Sequence, residues 1–69
     1  MKREEVESSV LKSVGYNKEK KLLEAEIVTG EVYEYYEVPL WEYEALMQSE
    51  SLGGFYNTHI KKHRCNRVK

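Results

Sequence analysis

The chain has 69 residues and a mass of 8.2 kDa, of which 41% are hydrophobic and 33% charged. That composition describes one small folded domain; it excludes a multi-lobed enzyme with a large cofactor crevice, a membrane span, and a wholly disordered chain. A single cysteine, Cys65, rules out an internal disulfide and fits a reducing cytoplasm.

The net charge of −1 hides a division. All 12 acidic residues, every one Glu, lie in residues 1–50, whereas residues 51–69 carry five bases and no acid. The opening residues, Met1 to Ser9, contain no apolar stretch of the secretory kind and are expected to be frayed over 1–7. Val10 to Tyr16 has the β-branched and aromatic content of a strand, and Asn17 to Lys20 a polar turn. Leu22 to Val28 alternates cleanly, with Leu23, Ala25 and Ile27 on a buried face and Glu24 and Glu26 on a wet one.

A turn over Thr29 to Glu31 leads to a third strand, Val32 to Val38. Tyr33 and Tyr35 share its core face, and a three-residue loop places Ile27 opposite Tyr33. Val38 reaches the core only across a bulge. Pro39 ends the sheet and opens a helix whose apolar stripe is Leu40, Tyr43 and Met47, with Leu46 beside it. Ser51 is the expected N-cap of a second helix from about Leu52 to His63. Gly53 and Gly54 in its first turn cost roughly 1 kcal/mol each relative to Ala, so close packing on a neighbour must offset them. The expected fold is α+β, a three-stranded antiparallel meander followed by two helices on one face (βββαα). Its domain covers 8–64, and a loose basic tail covers 65–69.

Several residues recur in an order that resembles a known family. They are Ser8-Ser9, Gly15-Tyr16-Asn17, Gly30, Tyr33-x-Tyr35-x-x-Val38-Pro39, Tyr43, Leu46, Ser51-x-Gly53, Phe55-Tyr56-Asn57 and Ile60-Lys61. This series resembles the KTSC domain, named for its place at the C-terminus of some lysyl-tRNA synthetases, over residues 6–64. The resemblance implies RNA binding by association with that enzyme, and it marks Tyr33 and Tyr35 as the family hallmark. The chain departs from the family at Asn17, where Asp is usual, and at Leu40-Trp41, where acidic residues are usual. It also lacks an aromatic near Arg64.

The residue types support two classes of function. In the first, Lys61, Lys62, Arg64, Arg67 and Lys69 on a basic C-terminal helix neutralise RNA phosphates, and an accessible tyrosine stacks a base. The plainer reading of the same charges is a basic helix end complementing its dipole. In the second, the acidic sheet face, the basic tail and Trp41 meet a protein partner. Tyr33 and Tyr35 are expected to be core on parity, the alternative being a stacking platform. Ser9, Ser51 and Asn57 are candidates for a polar notch, although capping explains Ser51 equally well. His59, His63 and Cys65 supply metal-ligand types without a paired motif. Expectations are therefore no metal, no cofactor, no catalysis and no membrane contact, with the oligomeric state open.

Overall fold

A computed structural model describes residues 2–69. The chain runs β1 (Glu4–Glu5), β2 (Leu11–Asn17), β3 (Leu22–Ile27), β4 (Val32–Tyr35), α1 (Leu40–Gln48), α2 (Leu52–Thr58), a 3-10 turn (Ile60–Lys62) and β5 (Cys65–Arg67). The sheet is antiparallel and five-stranded in the order β1-β2-β3-β4-β5. The α+β class and the two helices agree with the sequence; the strand count of three does not. Both ends of the chain, expected to be loose, are edge strands. Met1, the first residue of the stretch expected to fray, lies outside the described residues.

Each added strand has a physical reason. A three-stranded meander leaves unpaired N–H and C=O groups along both outer strands. At the β2 edge, Glu4 and Glu5 pair with Val14 and Ser13. Arg3 then folds over the sheet's acidic face. Its Nε donates to Ser13 Oγ at 2.9 Å and its Nη1 to Glu24 Oε1 at 2.5 Å, while Ser13 Oγ donates to Glu26 Oε1 at 2.8 Å. The face read as wet is thus partly roofed, with Ser13 and Glu24 buried beneath the guanidinium. The Ser13 hydroxyl first, then the charges of Lys12, Arg3 and Lys69, hold the Glu26 carboxyl below its usual range.

At the β4 edge, the Tyr36 N–H donates to Arg64 O and the Val68 N–H to Val32 O, both at 2.8 Å. This pairing is why α2 stops early. The expected helix to His63 ends at Thr58, and the 3-10 turn buries Ile60 completely before the chain straightens at His63. The five basic residues therefore sit on a turn, an edge strand and its end, not on a helix.

The β3–β4 hairpin keeps the expected loop length but not the register. Gly30 N–H donates to Ile27 O and Ile27 N–H to Glu31 O, both at 2.8 Å, which makes Val28-Thr29-Gly30 the three-residue loop. Gly30 takes φ +108°, the left-handed position such a loop requires. Ala25, not Ile27, faces Tyr33, and Leu23 faces Tyr35. The shift is two residues, so each side chain keeps its face. Beyond β4 the chain reverses the pleat through Glu37, at φ +56°, and this carries Val38 into the core.

The core lies between one sheet face and the helices: Leu11, Val14, Leu23, Ala25, Tyr35 and Val38 from the sheet side meet Leu46, Tyr56 and Ile60. On α1 the inward positions are Leu46 and Glu42, four residues apart, while Leu40 is largely exposed. Of the expected stripe, Tyr43 and Met47 pack against the core and Leu46 is buried, whereas Leu40 is exposed and Glu42 takes an inward position. Tyr43 still packs inward, its ring stacked on Tyr16 at 4.5 Å between centroids.

Ser51 caps α2, its Oγ accepting from Gly54 N at 3.1 Å. Gly53 permits the close approach that its helix cost demanded. A Cβ there would lie 2.9 Å from Val10 Cγ2 and 3.2 Å from Val10 Cβ. Gly53→Ala is accordingly expected to lower stability by about 1 kcal/mol, the overpacking outweighing the gain in helix propensity. Urea melts check this, and Val10→Ala, which removes Cγ2 but keeps Cβ, should reduce the penalty; a Gly53→Ala protein more stable than its parent would contradict the packing account.

Candidate functional site

The basic residues and the tyrosines meet along β5. Its register sets Cys65 beside Tyr35, Asn66 beside Glu34 and Arg67 beside Tyr33. Residues two apart on a strand share a face. Cys65 and Arg67 therefore belong to the helix-covered side, and Asn66 to the glutamate side. Lys61 Nζ lies 5.9 Å from the Tyr56 ring centre, and the Arg64 guanidinium 6.0 Å from that of Tyr36, both within cation–π reach. Among the described residues, none of Lys61, Lys62, Arg64, Arg67 and Lys69 forms a salt bridge with a Glu side chain; the Glu partners are Arg3, paired with Glu24 and Glu26, and His63, hydrogen-bonded to Glu42. The tail is also tucked back, since Lys69 O accepts from Val32 N at 3.2 Å and from Arg67 Nε at 3.1 Å.

Tyr33 and Tyr35 have different environments. Tyr35 is 3% exposed and fully part of the core, whereas Tyr33 is half-buried. The difference follows from position. Tyr35 lies under α2, where its ring meets Tyr56 edge-on at 5.7 Å and the two hydroxyls share a 2.5 Å hydrogen bond. Tyr33, two residues earlier on β4, packs against the core from the edge of the cleft. Burial, reinforced by the shared hydrogen bond, pushes the Tyr35 hydroxyl far above its ordinary pKa, and burial raises that of Tyr56. Both are firmly protonated at neutral pH.

Beside this pair opens a cleft of about 340 Å³, walled by Val10, Ile27 and Tyr33, with Tyr35 and Tyr56 among its lining residues. Lys61, Glu31 and Cys65 are its other polar groups. Sequence reasoning named Lys61 but missed the cleft, because Cys65 was assigned to a loose tail. A short, polar, exposed edge strand carries no hydrophobic alternation by which to recognise it.

The polar notch is brought together. Ser9, Ser51 and Asn57 line one concavity of about 280 Å³ with Gly53 and Glu50. Two of its serines already serve the backbone: Ser51 caps α2, and Ser8 Oγ accepts from the N–H groups of Val10 and Leu11 at 3.1 and 3.3 Å. The metal-ligand types are scattered. The His59 ring packs tilted against Phe55 with 4.4 Å between centroids, His63 Nε2 bonds the buried Glu42 carboxylate, and Cys65 lines the cleft. Among the described residues, no three His, Cys, Asp or Glu side chains are grouped to hold a metal ion. Trp41, on α1, is 66% exposed. No helix among the described residues is long and apolar enough to cross a membrane.

An uncharacterised protein of Stutzerimonas stutzeri is 41% identical over 61 residues, covering 88% of this chain and 86% of its own. A protein of Tsukamurella paurometabola is 38% identical over 56 residues, 81% of this chain and 84% of its own. The crystal structure of a KTSC domain protein from Yersinia pestis superposes with a TM-score of 0.92 at 31% identity, covering 99% of this chain and 97% of that one. The KTSC domain model matches residues 7–63, which takes in β2 to β4, both helices and the 3-10 turn. The chain belongs to the KTSC domain family.

Proposed function

We propose that this protein is a small cytoplasmic RNA-binding module, acting by binding and not by catalysis. The observation that carries the reading is the β5 edge. Five cations without Glu partners stand there beside two incompletely buried aromatics, Tyr33 and Tyr36. Phosphate contacts need such free cations, and unpaired bases stack on tyrosine faces. The glutamate side of the sheet repels phosphate, so the strand runs along the edge and not across that face. A cytoplasmic setting also keeps the exposed Cys65 thiol reduced.

Titration with an unstructured RNA oligomer tests this. With three to five phosphates neutralised, affinity should fall roughly 20- to 100-fold between 50 and 200 mM salt. Changing Lys61, Lys62 and Arg64 together to Glu should abolish binding. Absence of any binding at low salt refutes the reading.

One observation favours a second class. Trp41 is exposed on α1, away from the β5 edge, and tryptophan is enriched at protein interface hot spots. On that reading the domain is a protein-binding adaptor. Partners recovered from cells would then resist ribonuclease treatment and be lost with Trp41→Ala.

A further inference from the structure

We propose that the cleft beside Tyr35 and Tyr56 is a socket for one unstacked nucleobase, with the ring against Tyr33, a base acceptor on the Tyr35–Tyr56 hydroxyl pair and the attached phosphate on Lys61. The inference rests on the RNA-binding reading for the source of the base and adds a specific subsite to it.

The first ground is a hydrogen-bond count. Two phenols carry two O–H protons, and the bond between Tyr35 and Tyr56 uses one of them. The other has no acceptor among the described residues, although both rings are more than nine-tenths buried and line the cleft. Leaving a buried donor unmade is costly, so the pair is poised for an acceptor arriving from the cleft. Burial keeps both hydroxyls protonated and hence able to donate.

The second ground is charge. Lys61 and Glu31 both line the cleft. A simple anion would suit Lys61 but be repelled by Glu31. A nucleobase carries acceptors and N–H donors on one edge, and so satisfies both. Glu31 Oε1 already accepts from Thr29 Oγ1 at 2.6 Å, and the carboxylate retains lone pairs for a further donor.

The third ground is shape. A volume of about 340 Å³ is at the small end of ligand sites, which run from ~300 to 1,000 Å³. It admits a single nucleoside with one flat face on the half-buried Tyr33 ring, and Val10 and Ile27 supply the apolar wall. Lys62 follows Lys61 in the chain, and Arg67 pairs with Tyr33 on the adjoining strand, so further cations lie close in sequence and register to the cleft's lining.

Cys65 gives the test its readout, since it is the chain's one thiol, is exposed, and lines the cleft. Three probes are offered to the intact protein: an eight-residue uridine RNA, the same ribose-phosphate chain without bases, and free uridine monophosphate. Binding and the rate of Cys65 alkylation by iodoacetamide are measured for each. The uridine RNA should slow alkylation several-fold, and the abasic chain should bind about tenfold more weakly without protecting the thiol. Tyr35→Phe with Tyr56→Phe keeps both rings and should bring the uridine RNA down to the abasic level.

Equal binding of the basic and abasic chains, with Cys65 equally reactive, overturns the socket while leaving phosphate-mediated RNA binding intact. Protection by uridine monophosphate without binding of the RNA supports the socket, with a free nucleotide as its occupant, and refutes the RNA reading. No binding and no protection by any probe overturns both. These outcomes need only the unaltered protein, so they hold even if the double variant folds poorly.

Discussion

Tyr35→Ala is expected to leave the chain without a cooperative melt at 37 °C. Removing a buried aromatic ring costs about 3–5 kcal/mol through lost transfer energy and the cavity left behind. Tyr35 is 3% exposed and contacts both Tyr33 and Tyr56, so its site has little freedom to collapse. The substitution also strands the buried Tyr56 hydroxyl, adding roughly 1–3 kcal/mol. A 69-residue domain holds only about 3–10 kcal/mol in all. Tyr35→Phe, which keeps the ring, should fold with its stability lowered by about 1–2 kcal/mol. Urea and thermal melts followed by circular dichroism decide the matter. A Tyr35→Ala protein that melts cooperatively near the parent's midpoint would show that α2 is not anchored on this ring.

Tyr33→Ala should be much milder, and this revises what parity alone suggests. Parity places residues i and i+2 of a strand on one face; it does not say how far the covering layer extends. Here Tyr35 packs on Tyr56 of α2 and is buried, whereas Tyr33 is only partly buried and lines the cleft. The family's Tyr-x-Tyr hallmark therefore combines two jobs, one ring that holds the helix and one whose face reaches the cleft. Loss of RNA binding in a Tyr33→Ala protein that still folds is the result expected from that division.

The same limit explains what was legible in the sequence. The alternation of Leu23, Ala25 and Ile27 against Glu24 and Glu26 marks β3 without ambiguity, and Pro39 and Ser51 mark where each helix begins. The tight approach at Gly53 follows from its helix cost. These are local signals, carried by a few adjacent residues. β1 and β5 carry no such signal. Glu4-Glu5 and Cys65-Asn66-Arg67 are polar and short, and they become strands only because the meander has open edges to fill. The cleft depends on β5, on the hairpin register and on α2 ending at Thr58, three non-local outcomes. Its cations were identifiable by charge, but their tyrosine partners and Cys65 were not. The inward Glu42 on α1 has a comparable origin, because it meets a histidine 21 residues away.

His63→Leu is expected to destabilise the fold by roughly 3 kcal/mol, and Glu42→Gln in the same chain should recover much of the loss. Glu42 is 6% exposed, and its carboxylate bonds His63 Nε2, which joins α1 to the segment between the 3-10 turn and β5. A buried carboxylate is tolerated only while a partner satisfies it. Breaking such a pair from one side typically costs 3–5 kcal/mol, because the remaining charge keeps its desolvation penalty and loses its compensation. His63 is less buried than Glu42, so water can reach the vacated space, and the low end of that range applies. Neutralising Glu42 removes the stranded charge, which is why the double variant should be more stable than His63→Leu alone. The location gives the pair a functional consequence. It fixes the point where the chain leaves the helical layer and enters β5, and so sets Lys61, Arg64 and Arg67 along the sheet edge. His63→Leu should therefore weaken RNA binding even under conditions where most molecules remain folded, with hydrogen exchange rising first at the Tyr36 and Val68 amides that pair with the C-terminal segment. Unchanged exchange at those two amides together with an unchanged melt would show that β5 holds its place without the Glu42–His63 link.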